Sequence, residues 1–179
     1  DIWEPGPAEA ALAGGAQVLL SLNASPYHMN KHAQRLQVLR DRVRETGLAV
    51  LYCNIVGGQD ELVFDGGSFA LDRDGRLGYA APAFEQCVDI LQFDGARWQS
   101  EIKVVPLGLE AGVYEALKLG VRDYLDKNRF PSAIIGLSGG LDSALTLAVA
   151  VDALGAERVR AVMMASPYTA QMSLDDSRE

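Results

Sequence analysis

Cysteine is nearly absent from this sequence. Cys53 and Cys87 are its only two, too few to staple a small fold with disulfides. Each has apolar neighbours, Leu51-Tyr52 before Cys53 and Val88 after Cys87, which predicts two reduced core thiols. Neither has a nearby His to activate it. No apolar run is long enough to span a membrane, and the opening residues carry no signal-peptide pattern. A cytoplasmic protein with no membrane partner is therefore expected. Basic residues are in the minority, with Lys and Arg numbering 16 against 24 Asp and Glu, for a net charge of -8. That balance disfavours nucleic-acid backbones as partners but leaves room for a small phosphate site built from local donors. Internal repeats and low-complexity tracts are missing too. What is present in quantity is apolar side chain, 49% of residues, enough for a packed core. The chain opens on Asp1 rather than Met and stops at Glu179 within a patterned segment, so both edges read as cut.

Hydrophobic periodicity gives an α/β order of elements. Asp1 to Trp3 reads as the end of a strand, and Pro5 and Pro7 as breaks. The Ala-rich run to Ala13 ends at Gly14-Gly15, a helix stop. Residues 17–22 form a short apolar run, and residues 23–27 a turn-rich loop at its end. Met29, Ala33, Leu36, Leu39 and Val43 recur at helical spacing, which predicts a helix from about Met29 to Thr46 with Arg35, Arg42 and Arg44 on a solvated face. A buried strand over 48–56 and a meander around Asp72-Arg73-Asp74-Gly75 follow. Residues 88–105 show weak strand signals, and a domain boundary is expected near Pro106, giving parts 1–106 and 107–179. Beyond it, Val113, Leu117, Val121 and Leu125 predict an amphipathic helix over 111–128. Residues 133–137, 142–154 and 159–164 then read as a strand, a helix and a parallel strand.

The segment Gly136-Leu137-Ser138-Gly139-Gly140-Leu141-Asp142-Ser143 lies between that strand and that helix. Ligands in open α/β sheets bind at the carboxyl ends of strands. A helix start there offers free N–H groups and partial positive charge, and glycines bring the backbone close to an anion. Ser138 and Ser143 offer hydroxyls as well. Asp142 would repel a phosphate unless a hard cation such as Mg²⁺ lies between them. The loop is not a Walker A sequence, which ends in Gly-Lys-Ser/Thr. The plainer alternative is a Gly-rich turn capped by Asp142 or Ser143.

Ser-Gly-Gly-x-Asp-Ser resembles the pyrophosphate loop of the ATP-pyrophosphatase superfamily. Within it, Val121-Arg122-Asp123-Tyr124, Met164-Ala165-Ser166-Pro167-Tyr168-Thr169 and Ser173-Leu174-Asp175-Asp176 resemble NAD synthetases, with Ala165 departing from the usual Pro. Asp1-Ile2-Trp3-Glu4-Pro5, Asn23-Ala24-Ser25-Pro26-Tyr27 and residues 57–66 resemble the amidase domain of glutamine-dependent NAD synthetases. The resemblance implies a fold in two parts: the C-terminal portion of a nitrilase-like αββα sandwich, then the start of a doubly wound parallel sheet. It implies a ligase that adenylates deamido-NAD with ATP and Mg²⁺ and amidates it with ammonia from glutamine. The whole enzyme would be a homo-oligomer with small-molecule partners only.

It further implies that residues 136–143 hold ATP, that Asp142 meets the metal, and that Ser25 and Lys31 lie at the glutamine. Their ordinary roles would be a turn or cap for Ser25 and a surface charge for Lys31. The nucleophilic Cys is expected just before Asp1, so no catalytic residue falls in this sequence and the segment alone should lack full activity. Asp60, Glu61 and Asp65 are read as shaping a loop, and the His28/His32 pair lacks the Glu of a zincin site. Another amidotransferase or thiolation enzyme with the same loop, or a non-catalytic interaction module, remains open.

Overall fold

The computed structural model describes residues 1–100, 104, 107–165 and 171–176. The chain divides into two compact units, Asp1–Gly57 with Leu62–Val113, and Gly58–Glu61 with Tyr114–Glu179. No described helix is long and apolar enough to cross a membrane.

In the first unit, Pro5 and Pro7 do not break the chain. They sit in the first turn of α1 (Pro5–Ala13), where a missing N–H costs no intrahelical bond. Asp1 to Trp3 forms no strand. The Gly14 N–H closes the helix on the Ala10 carbonyl at 3.0 Å. β1 (Val18–Asn23) then runs parallel to β2 (Ala49–Asn54), in register from Val18 opposite Ala49 to Asn23 opposite Asn54. α2 (Lys31–Thr46) makes the crossover. β5 (Phe69–Leu71) pairs antiparallel with β2 and with β6 (Leu77–Ala80), so the sheet order is β1-β2-β5-β6. β3 (Val56–Gln59) and β4 (Leu62–Asp65) form a separate ribbon, as do the two-residue strands β7 (Gln92–Phe93) and β8 (Trp98–Gln99).

The continuous apolar run of β2 is explained by burial on both faces. Val50 and Tyr52 lie opposite Leu71 and Phe69 and pack with Leu39 and Val43 of α2 and with Ile2. Ala70 joins Tyr79 and Ala81 in a second cluster, with Leu51 and Trp98 against it. Each fully buried large apolar side chain contributes about 1.5–3 kcal/mol, so the α2-side cluster anchors the unit. Cys53 follows Tyr52 and points away from that cluster. It and Cys87 are exposed, contrary to the expectation of buried thiols. Flanking apolar letters mark burial poorly in a strand, where neighbours alternate faces.

The α2 stripe also differs from expectation. Arg35, Leu39, Arg42 and Val43 are its buried residues, while Met29 precedes the helix and is exposed. Arg35 and Arg42 therefore belong to the inward face, and only Arg44 of the three lies out in solvent.

In the second unit, β9 (Ala133–Leu137) and β10 (Val159–Met163) are parallel, with Val159 opposite Ala133 and Met163 opposite Leu137. α4 (Leu141–Leu154) and a 3₁₀ turn, Ala156–Arg158, connect them. The βαβ unit read from the sequence is thus present. Arg158 fastens its base, donating to the carbonyls of Phe130 (3.1 Å) and Pro131 (3.2 Å) and pairing with Asp126 at 2.9 Å. α3 (Leu109–Lys127) precedes this unit's strands. Its buried large residue is Leu119, alongside Ala116, and Leu117 is exposed. Ser173 and Asp175 lie in α5 (Gln171–Asp176). Ser166-Pro167-Tyr168-Thr169 lies outside the described residues.

Candidate functional site

The turn after β9 is built by its glycines. Gly139 adopts φ of 75°, the left-handed region that side chains disfavour. Gly140, extended at φ −91° and ψ 154°, is the N-cap of α4 and supplies no side-chain cap. Ser143 turns inward instead of capping: its Oγ accepts from the Ser138 N–H at 3.2 Å and donates to the Gly140 carbonyl at 2.8 Å. A hydroxyl has one proton, so the 3.1 Å bond between the Ser138 and Ser143 hydroxyls takes its proton from Ser138. Both hydroxyl protons are engaged inside the turn.

The donors left open are backbone groups. The N–H groups of Gly139, Leu141, Asp142 and Ser143 meet no protein acceptor among the described residues. The Gly140 N–H makes only a long 3.4 Å bond to Ser138 Oγ. Open donors in succession at a helix start form an anion-binding concavity, reinforced by the helix dipole. Asp142 is exposed beside them, and its carbonyl accepts from Thr146 Oγ1 at 2.8 Å. No group of three or more His, Cys, Asp or Glu side chains among the described residues could cage a metal. One carboxylate next to a phosphate cradle suits an ion that arrives with phosphate oxygens and water, as Mg²⁺ does.

The loop after β1 is built the opposite way, by side chains. Arg35 is fully buried, at 0% exposure. Its Nη1 donates to both Asp65 carboxylate oxygens at 2.9 Å. Nη2 donates to the Ser25 and Pro26 carbonyls at 2.7 and 3.0 Å, and Nε to Ser25 Oγ at 3.1 Å. All three guanidinium nitrogens are hydrogen-bonded, which lets a charge lie on the core face of a helix. Asn54, at the end of β2, adds a second clamp. Its Oδ1 accepts from the Ser25 N–H at 2.8 Å, and its amide donates to the Ser25 and Gly66 carbonyls.

Lys31 opens α2, with Nζ 4.0 Å above the Trp3 ring, and makes no ion pair among the described residues. His32 lies edge-on to Phe69, with centroids 5.6 Å apart. Desolvation holds its pKa below the ordinary 6.5; Asp65 opposes that shift and Arg35 adds to it. Tyr52 Oη is buried without a partner in full hydrogen-bond geometry among the described residues. Burial raises the Tyr52 pKa, and the nearby Ser25 hydroxyl opposes the rise.

Of the sequence-predicted residues, 136–143 come together at one turn, and Ser25 sits at the strand-end loop as expected. Asp65 shapes that loop, through Arg35. Asp60 and Glu61 are exposed at the β3–β4 turn. Arg35 and Asn54 were missed. The available signal was spacing, because Arg35, Leu39, Arg42 and Val43 follow the i, i+4, i+7, i+8 pattern of an inward helix face.

Residues 113–179 match the NAD synthase family. The whole chain is 47% identical to the glutamine-dependent NAD(+) synthetase of Xylella fastidiosa (strain 9a5c), of which it covers 34%. It is 46% identical to that of Rhodobacter capsulatus, covering all of this chain and 33% of the relative. The solved structure of the glutamine-dependent NAD+ synthetase from Acinetobacter baumannii, in complex with adenosine diphosphate, superposes on the whole chain with a TM-score of 0.94 at 41% identity, over 34% of its own length. The chain thus spans about a third of the proteins it matches. The α/β fold class expected from the sequence, a nitrilase-like portion followed by the start of a doubly wound parallel sheet, agrees with that superposition.

Proposed function

We propose that the chain is a segment, about a third of the full length, of a glutamine-dependent NAD(+) synthetase, and that it supplies the ATP-gripping turn and part of the glutaminase of such a ligase. Residues 1–106 are the C-terminal part of the amidohydrolase, and residues 107–179 the N-terminal part of the synthetase. The observation that carries this reading is the uncapped start of α4, with open N–H groups around Gly139. The glycines keep Cβ atoms away from these groups at the carboxyl end of β9, where an anion can approach them. The complex of the Acinetobacter baumannii relative with adenosine diphosphate supports a nucleotide as the occupant.

In this reading the deamido-NAD carboxylate attacks the α-phosphorus of ATP, and pyrophosphate leaves with the electron pair of the broken P–O bond. Ammonia released from glutamine then adds to the activated carbonyl carbon, and AMP departs. The amides of Gly139, Leu141, Asp142 and Ser143 hold the pyrophosphate end and stabilise the charge it gains. Asp142 would hold Mg²⁺, which when bound would neutralise charge on the phosphates. Lys31, with no acidic partner among the described residues, meets the glutamine carboxylate, and Ser25 donates a hydrogen bond to the same substrate. The enzyme works in the cytoplasm as a homo-oligomer with small-molecule partners, using neither nucleic acid nor membrane.

The test is substrate-dependent pyrophosphate release by the full-length protein carrying this chain. Deamido-NAD should drive it, and XMP or aspartate should not. Release driven by XMP or aspartate, or a parent that binds no ATP, would overturn the reading.

A further inference from the structure

We infer that Arg35 is a positioning residue for glutamine hydrolysis, acting through the Ser25 hydroxyl. The inference rests on the glutaminase reading above. Ser25 Oγ has one proton to give and two lone pairs. Arg35 Nε–H already points at this oxygen from 3.1 Å, so it occupies a lone pair and turns the Ser25 proton away from the guanidinium. No described acceptor takes that proton in full hydrogen-bond geometry, although the Tyr52 hydroxyl stands within reach of Ser25 Oγ. Arg35 thus directs the Ser25 proton away from the guanidinium, to the side where a carbonyl or carboxylate oxygen of bound glutamine would compete with Tyr52 for it.

The same guanidinium holds the Ser25 and Pro26 carbonyls, fixing the backbone that carries the hydroxyl. It is itself aimed by Asp65, which grips it with both carboxylate oxygens. A lysine could keep the charge but not this fork, since an ammonium has no planar set of donors pointing three ways. The role is therefore geometric: Arg35 touches no substrate, yet it decides which way Ser25 donates.

The measurement compares NAD formation from glutamine with NAD formation from ammonia, in the full-length protein carrying this chain. Arg35→Lys should lower kcat/KM for glutamine about tenfold or more while leaving ammonia-driven turnover near the parent's. Ser25→Ala should do the same. The double variant should lose little beyond Ser25→Ala alone, because one residue acts through the other. Where Arg35→Lys does not fold, Asp65→Glu, which keeps the counter-ion while shifting its grip on Arg35, provides the second test, with the same split between nitrogen sources and the same lack of additivity with Ser25→Ala. Equal losses with both nitrogen sources, fully additive losses, or no loss would overturn the inference. A parent that makes NAD from ammonia but never from glutamine would instead sink the glutaminase reading on which it stands.

Discussion

The two strand-end loops solve one geometric problem in opposite ways. Each follows a parallel strand and leads to a helix, β1 to α2 and β9 to α4. After β1, the loop's polar groups are satisfied from within by Arg35, Asn54 and Asp65. After β9, the two serine hydroxyls bond each other and the turn's backbone, and four amides meet no protein acceptor among the described residues. The first loop is finished before any ligand arrives and can hold a side chain in a fixed orientation. The second keeps open donors that an anion would complete. A closed loop should therefore reveal itself through stability, and an open one through binding.

The largest expected effect breaks the closed loop. Asp65→Ala leaves the Arg35 charge at 0% exposure without a counter-ion. Losing one partner of a buried pair costs about 3–5 kcal/mol, so denaturant unfolding should show the first unit destabilised by roughly that amount. A change near zero would mean that water reaches the guanidinium and that the loop is not closed. The matching change in the open loop is Gly139→Val. It forces a β-branched residue to φ of 75° and places a side chain in the cradle. Nucleotide affinity, read by calorimetry, should drop about 100-fold, since several charge-assisted bonds shift together. An unchanged affinity would remove this turn from the nucleotide site.

A smaller effect is expected at Gly66, whose carbonyl accepts from Asn54. At φ of 61°, an added Cβ would come within 2.4 Å of Val56 Cγ2. Gly66→Ala should therefore cost about 1–3 kcal/mol of first-unit stability through overpacking and strain. It should leave nucleotide affinity untouched, which keeps the two loops experimentally separable.

The open loop was far more legible in the sequence than the closed one. Its function resides in backbone, and backbone function leaves a local signature: glycines at fixed spacing between a strand and a helix. The closed loop depends on partners distant in sequence, Arg35 with Asp65 and Asn54 with Ser25, that only folding brings together. Hydrophobic pattern reading rejects an arginine on a core face, because it cannot see that each of its nitrogens will find a partner. The same blindness to facing direction put Cys53 in the core beside Tyr52. Element order survived because periodicity and glycine punctuation are local; helix faces at α2 and α3 did not, because burial there depends on what packs against them.

The smallest expected effect sharpens the comparison by pH. His32 sits on the first turn of α2, exposed along part of its surface but with its ring edge-on to Phe69; desolvation lowers its pKa, with the Arg35 charge adding to the shift and Asp65 resisting it, and solvent screening keeps the effect on stability small. A His whose folded pKa is depressed binds fewer protons than its unfolded counterpart between the two values. Stability then rises with pH through the window ending near 6.5. The loss on acidification is complete below the folded pKa. First-unit melting should accordingly fall as pH drops through that window, and His32→Gln should flatten this part of the profile. An unchanged slope in the variant would place the titration elsewhere. Nucleotide binding at the open loop should not follow this slope, because its cradle is built of backbone amides and contains no histidine: this pH sensitivity belongs to the loop that is closed by side chains.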